Sequence, residues 1–452
     1  MSDSQSVNVS QQTDHWNEDV LGREKIAKFL ENIILQSGGN FILNINSPWG
    51  TGKTFLIERM IEDLKKTNLC IYFNAWEEDF SDSAFLAFVS VIQREFQNSL
   101  GANGMKKQIN SFLEKTGKFL IRLTPIMVKA GFRFALDNQT VEEFTKLTSP
   151  DTKSDFTDEI GNWAKEQIDS QLGKKEARDE FKNTLSETLN LLSGDGLRMP
   201  LIIFVDDLDR CRPTFAIELL ESIKHIFNIQ NVAFVIATDS IQLSESIKAV
   251  YGSGVDSNTY LKKILDNQFN LPLLNYDKFS TLIFHKFNIE QKEIFLYDGK
   301  DPKLIFARFA ESFNLSLRDQ EQVFRKIELI IKASRVKMHF AFLVFLMIVA
   351  YKFNKIYNKY KSEQIVLEGI LNSIRNDIVI SKLPTYFSEV LKTYDICILQ
   401  NDQVNINRNH LIGLNHRTEL DTVKFNIFDS AFKEKINKIV YLNFVDMADH
   451  FE

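Results

Sequence analysis

Apolar residues first recur at helical spacing, with Val20, Ile26, Phe29, Leu30, Ile33 and Ile34 on one face of a helix that starts near Asp19. Ser37-Gly38-Gly39-Asn40 stops it. Phe41 to Asn46 is a short apolar run suited to a buried strand, Thr54 to Lys66 reads as a helix, and Leu69 to Phe73 as a second strand. Residues 82–195 carry few strand signals and several amphipathic stretches, among them Leu86 to Phe96 and Phe181 to Leu192. Lys106-Lys107 and Lys174-Lys175 read as exposed charge there, around a soft middle at Thr148 to Phe156. Strand signals return at Leu201 to Val205 and Val232 to Ala237, with a helix at Thr214 to Phe227 between them, and fade after Phe269-Asn270-Leu271-Pro272. Residues 276–365 are helical in pattern and 366–452 mixed. Strand–helix alternation interrupted by a helical stretch predicts an α/β parallel-sheet core with a helical insertion.

The length, 452 residues, asks for two to four domains of ordinary size. At 44% hydrophobic and 25% charged residues the chain is globular rather than disordered. A net charge of −6 gives no whole-protein field for nucleic acid. Cys70, Cys211 and Cys397 are far apart and match no metal spacing, which argues for a reducing cytoplasmic setting. Met1 to Asp14 is polar and is expected to be a flexible tail rather than a signal peptide. Phe340 to Tyr351 is the most hydrophobic stretch, but it is shorter than the ~20 residues of a membrane span and is expected to be a buried core helix. Arg122, Pro125, Lys129 and Arg133 interrupt the stretch Phe119 to Leu136 and keep it out of a bilayer. No membrane span is expected.

Ser47-Pro48-Trp49-Gly50-Thr51-Gly52-Lys53-Thr54 matches the phosphate-binding loop pattern, except that Ser47 stands at the first glycine position. Glycines let such a loop curl its backbone N–H groups inward onto an anion, and the helix that follows offers its N-terminus to the same charge. Trp49, Gly50, Thr51, Gly52, Lys53 and Thr54 would therefore hold the phosphates of ATP. Lys53 would reach the β- and γ-phosphates, and the Thr54 hydroxyl would ligate Mg²⁺. An apolar strand before the loop and a helix after it give the context the motif needs.

Val205-Asp206-Asp207-Leu208-Asp209-Arg210 supplies the acidic partner. Asp206 ends a run of apolar residues, at the carboxyl end of a strand, where ligands of open α/β sheets bind. It is assigned to Mg²⁺, and Asp207 to orienting and deprotonating the attacking water. Aspartate is one methylene shorter than the commoner glutamate, which implies slow hydrolysis or a differently held water. Asp209 is expected to cap locally or to pair with Arg210. Arg210 either neutralises the aspartates or senses a γ-phosphate in a neighbouring subunit. The long separation of Lys53 from Asp206 implies an insertion of about a hundred residues, within normal domain size.

These motifs resemble the KAP family of P-loop NTPases, in the AAA-like branch. The resemblance covers roughly residues 19–325 and rests on Asp19-Val20-Leu21-Gly22-Arg23, Trp49 to Thr54, Phe73-Asn74-Ala75-Trp76-Glu77, Asp206 to Arg210, Ala237-Thr238-Asp239, Tyr260-Leu261-Lys262-Lys263-Ile264 and Ser316-Leu317-Arg318-Asp319. It implies a sheet ordered 5-1-4-3-2, a helical lid, and an insertion that often carries transmembrane helices but is too charged for that here. The division it implies is a tail at 1–18, an NTPase core at 19–81 and 196–275, a helical insertion at 82–195, a lid at 276–365 and a small C-terminal region at 366–452. Leu21 and Gly22 would lie near adenine. Thr238 or Asp239 would be a sensor bonded to the attacking water, or a strand-end cap. Lys263 would touch phosphate or be solvated. Arg318 would be a second sensor in the lid, or a surface partner of Asp319 or Glu321. Trp76 is expected to pack.

Lys352, Lys355 and Lys359, interleaved with aromatics, read as one helix face, either wet or able to bind single-stranded nucleic acid. Three functions follow. The leading one is an ATPase driving a conformational or assembly cycle, as a homo-oligomer or with a protein encoded nearby, in a family that includes phage-excluding bacterial proteins. The second is an ATP-dependent assembly switch with negligible turnover. The third, a nucleic-acid-stimulated ATPase, is disfavoured by the acidic charge.

Overall fold

The computed structural model describes residues 15–38, 40–81, 83–98, 110–116, 171–194, 198–226, 229–265, 267–272, 274–289, 294–296, 301–334, 337–374 and parts of 391–450. The N-terminal tail, the stretch Phe119 to Leu136, Lys106-Lys107, the segment Thr148 to Phe156, Cys397 and much of 375–437 lie outside them. The chain divides into two compact units, residues 1–272 and 273–452.

The first unit is built on five parallel strands, β1 (Phe41–Asn46), β2 (Asn68–Asn74), β3 (Arg198–Asp206), β4 (Val232–Thr238) and β5 (Asn267–Asn270). Their order across the sheet is β2-β3-β4-β1-β5, as the resemblance implies. One strand, β4, therefore lies between the strand that feeds the phosphate loop and the strand that ends at Asp206. The central strands are buried on both faces, so they read as apolar runs rather than alternating ones.

Residues of β1 to β4 enter two separate cores, one on each face. On one face Leu43, Ile45, Ile202, Phe204, Val235 and Ala237 pack under helices α1 (Arg23–Gln36) and α2 (Lys53–Leu64). On the other, Ile71, Phe73, Ile203, Val205, Phe234 and Ile236 meet α4 (Ala84–Asn98), α5 (Gln171–Gly194), α6 (Pro213–Ile226), α7 (Ser240–Tyr251) and α8 (Ser257–Ile264). The one-turn helix α3 (Ala75–Glu78) leads from β2 toward α4. Phe88 of α4 sits 5.1 Å from Phe73 and 6.1 Å from Phe234, ring centroid to centroid. Each such aromatic pair contributes ~0.5–1.5 kcal/mol beyond its buried area. So the described helices of the stretch expected to be an insertion, α4, α5 and the helical segment 110–116 with Phe112, belong to the core layer on that face.

The second unit is mainly helical: α9 (Tyr276–Phe287), α10 (Pro302–Ser312), α11 (Leu317–Ala333), α12 (Phe340–Lys352), α13 (Asn354–Lys361) and further helices after them. Phe284, Phe306 and Phe324 make edge contacts around its centre. Residues 340–350 of α12 are all buried, as expected of a core helix. No described helix is long and apolar enough to cross a membrane. Phe353 breaks the chain between α12 and α13 (φ −130°, ψ 48°), so the three lysines do not share one helix face. Lys352 turns back to donate to the carbonyl of Phe313, while Lys355 and Lys359 are exposed above buried Tyr357 and Tyr360.

Candidate nucleotide site

The loop after β1 turns on Gly50 (φ 72°) and Gly52 (φ 91°), a left-handed backbone that residues with a Cβ adopt only under strain. Gly52 is the N-cap of α2, so the loop opens directly onto a helix N-terminus. The Lys53 side chain curls back into the loop and donates to the carbonyls of Ser47 (2.6 Å) and Pro48 (3.2 Å). Thr51 donates its hydroxyl to Pro48 as well (2.8 Å). The Ser47 N–H donates to the Thr238 carbonyl, which continues the β1–β4 ladder into the loop. Thr54 is half-buried in the first turn of α2.

Upstream, Gly22 adopts φ 74° at the N-cap of α1. The next residue, Arg23, is buried, and its guanidinium donates to the Thr51 carbonyl at 3.3 Å. That bond places the Leu21-Gly22 turn beside the phosphate loop. Burial, partly offset by Asp19, holds the Arg23 pKa below its usual value.

Across β4, Asp206 ends β3 and is fully enclosed. Its Oδ1 accepts the Asp207 N–H (2.9 Å), and its Oδ2 is buried with no hydrogen-bond partner. Asp207 has φ 56°, a left-handed residue that bends the chain into a 3₁₀ turn, Leu208–Arg210. Leu208 anchors this turn in the core. The turn brings positions 207 and 210 together, and Arg210 Nη1 pairs with Asp207 Oδ2 at 2.9 Å. Arg210 therefore pairs with Asp207 and not with Asp209, contrary to the sequence expectation. Sequence adjacency was misleading because the turn puts residues three apart on one side.

Asp209 instead points inward. Its Oδ2 accepts the Trp49 indole N–H (2.6 Å) and the Asp239 backbone N–H (2.8 Å). Trp76, expected to pack, is 56% exposed on α3, with the Arg210 guanidinium 5.7 Å from its ring. The side chain of Asn74 caps that single turn through the N–H groups of Trp76 and Glu77, which directs the indole away from the sheet.

At the end of β4 the Thr238 hydroxyl is fully buried and donates to Asn44 Oδ1 at 2.8 Å, inside the sheet. Asp239 caps α7 by accepting the Ile241 N–H at 3.0 Å. Lys263 is exposed on α8. Arg318 lies in the second compact unit, exposed in the first turn of α11. The acidic partners expected for it are engaged elsewhere. Asp319 closes a capping box with Ser316 and accepts from Tyr351, and Glu321 pairs with Lys286.

The charges form one system. Burial pulls the Lys53 pKa down, opposed by Asp209, Asp239 and Asp206 in that order. Burial raises the pKa of Asp207, with Asp206 adding to it and Arg210 opposing. Burial also raises that of Asp209, opposed chiefly by Lys53. A curled glycine loop, a buried ammonium, a hydroxyl at a helix N-terminus and a buried carboxylate with a free oxygen are the donor set of a Mg²⁺-nucleotide, and the residues fit that group.

Residues 23–333 match the model of the KAP family P-loop domain. An uncharacterized protein of Methanocaldococcus jannaschii is 26% identical over 171 residues, 36% of this chain and 87% of that protein. The phage T7 exclusion protein of Escherichia coli K12 is 22% identical over 262 residues, 55% of this chain but only 32% of that protein. The structure of the Aeropyrum pernix ORC2 protein in ADPNP–ADP complexes aligns at 11% identity with a TM-score of 0.31, covering 99% of this chain and 88% of that one.

Proposed function

The chain belongs to the KAP family of P-loop NTPases, and from that premise we propose that it binds and hydrolyses ATP with Mg²⁺ to drive a conformational or assembly cycle. The observation that carries this reading is Lys53, buried in a glycine-turned loop and set among Asp206, Asp209 and Asp239. Such an ammonium is held ready for an anion.

Trp49 to Thr54 would wrap the phosphates through their backbone N–H groups, with the Leu21-Gly22 turn flanking the base. Thr54 and Asp206 would hold Mg²⁺. An ion held there would supply positive charge to offset the charge that grows on the phosphates. Asp207 would take the proton of the attacking water, and Asp239 is better placed than Thr238 to orient that water, because Asn44 already occupies the Thr238 hydroxyl. The free guanidinium of Arg318 is retained as a second sensor.

One observation favours the second reading, a nucleotide-dependent switch with little turnover: Arg210 occupies the carboxylate of Asp207. ATP hydrolysis by the wild type, Lys53→Ala and Asp207→Asn separates the two. Turnover lost in both variants supports the enzyme, and tight ATP binding without turnover supports the switch. Calorimetry that detects no ATP uptake by folded protein refutes both. The setting we propose is exclusion of phage, by analogy with the Escherichia coli relative. Equal phage plating on cells carrying wild type or Lys53→Ala would remove it.

A further inference from the structure

Asp209 holds neither ion nor water in the scheme above, yet its side chain accepts two hydrogen bonds within the site. It is 6% exposed, on a 3₁₀ turn anchored by buried Leu208. One oxygen holds two donors, the indole N–H of Trp49 and the backbone N–H of Asp239. The other oxygen is buried with no hydrogen-bond partner, and among the charges that hold Lys53 protonated Asp209 is the foremost.

Trp49 is different. It is 43% exposed and is followed by Gly50 in a left-handed turn. Its indole N–H is directed by the 2.6 Å hydrogen bond to Asp209. Charge-assisted bonds of this kind are short and directional. Asp239, the other donor, begins the turn out of β4. A single carboxylate oxygen thus joins the phosphate loop, the turn after β3 and the end of β4.

We infer that Asp209 is a positioning residue that clasps Trp49 to the end of β4, so that the phosphate loop and the water-orienting end of β4 act as one rigid body. The inference rests on the nucleotide reading of this site. A carboxylate suits the place because it accepts two N–H groups on one oxygen and also balances Lys53. An amide could keep the first property but not the second.

The test uses the full chain with ¹⁵N-labelled tryptophan, the Trp49 indole signal being assigned with Trp49→Phe. ATP uptake is measured by calorimetry and turnover at steady state. In Asp209→Ala we expect hydrogen-exchange protection of the Trp49 indole to fall and ATP affinity to weaken, each by about tenfold, with KM rising more than kcat falls. Asp209→Asn should keep most of the indole protection and lose part of the affinity. Trp49→Phe should weaken ATP binding by less than Asp209→Ala, because the charge beside Lys53 remains, and the double variant should fall no further than Asp209→Ala, because the clasp is already broken there. Additive losses, or an Asp209→Ala variant with indole protection and ATP affinity within about twofold of wild type, would overturn the inference alone. A wild type that takes up no ATP overturns it together with the proposed function.

Discussion

Asp207 Oδ2 lies 2.9 Å from Arg210 Nη1, and the left-handed backbone of Asp207 creates that contact by folding residues 207–210 into a tight turn. In the scheme above Asp207 must be free to accept a proton. The ion pair competes with that, so Arg210 restrains Asp207. Arg210→Ala is expected to raise kcat several-fold, on the order of 3–10, with little change in KM, since a partly buried pair of this kind is worth ~1 kcal/mol. Steady-state ATPase measurements decide it. A fall in kcat at constant KM would instead make Arg210 a group that stabilises the transition state.

Thr238 and Asn44 are both fully buried and bonded at 2.8 Å between adjacent strands. Thr238→Val keeps the shape but leaves Asn44 Oδ1 without its donor. The cost is that of an unsatisfied buried acceptor, ~1–3 kcal/mol, read as a lower urea midpoint at unchanged slope. ATP affinity should hold, because the hydroxyl faces into the sheet. Asp239→Ala should do the reverse, costing ~1 kcal/mol as a lost cap and lowering turnover more than stability.

β1, β3 and β4 could be read from Phe41 to Asn46, Leu201 to Val205 and Val232 to Ala237 because strands covered on both faces leave unbroken apolar runs. β5 could be read only in part. Its burial pattern is mostly exposed, and Asn267 and Asn270 hold it to β1 through side-chain bonds to the Ile42 carbonyl and to Asn46. Such an edge leaves no hydrophobic signature. Lys53 and Asp206 were legible because each ends or begins an element whose pattern is local. The place of Asp209 was not, since its partners Trp49 and Asp239 are 160 and 30 residues away. Nor was the exposure of Trp76, which depends on how Asn74 caps a single turn.

Ser316 and Arg318 occupy the same helix start and should separate cleanly. Ser316 accepts the Asp319 N–H at 3.1 Å and completes the capping box of α11. Ser316→Ala is expected to cost ~1 kcal/mol of stability and to leave ATP turnover unchanged. Arg318 is exposed, and no acidic side chain among the described residues pairs with it. Arg318→Ala should leave the melting temperature within about one degree, as surface substitutions usually do. It should lower turnover by about tenfold if the residue senses nucleotide. Unchanged turnover would return Arg318 to the solvated surface.

His339 makes the stability of the protein depend on pH. The residue is fully buried ahead of α12, its backbone N–H donates to the Tyr441 hydroxyl, and burial pulls its pKa from 6.5 to about 3. In the unfolded chain the imidazole protonates near 6.5, whereas in the folded one it stays neutral until about 3. Between those values the unfolded state carries the extra proton, so acid favours unfolding. The contribution is complete above the unfolded value and falls as pH drops through the window, by up to about 1.4 kcal/mol per unit. Carboxylates add their own slope in the lower half of that range, so the informative quantity is the difference from His339→Gln, which has no proton to gain. Urea unfolding at about pH 7.5, 6.5 and 5.5 should show the wild type losing stability faster than the variant. Parallel pH dependences would mean that His339 is protonated at ordinary values, and hence that the interior around α12 is open to water.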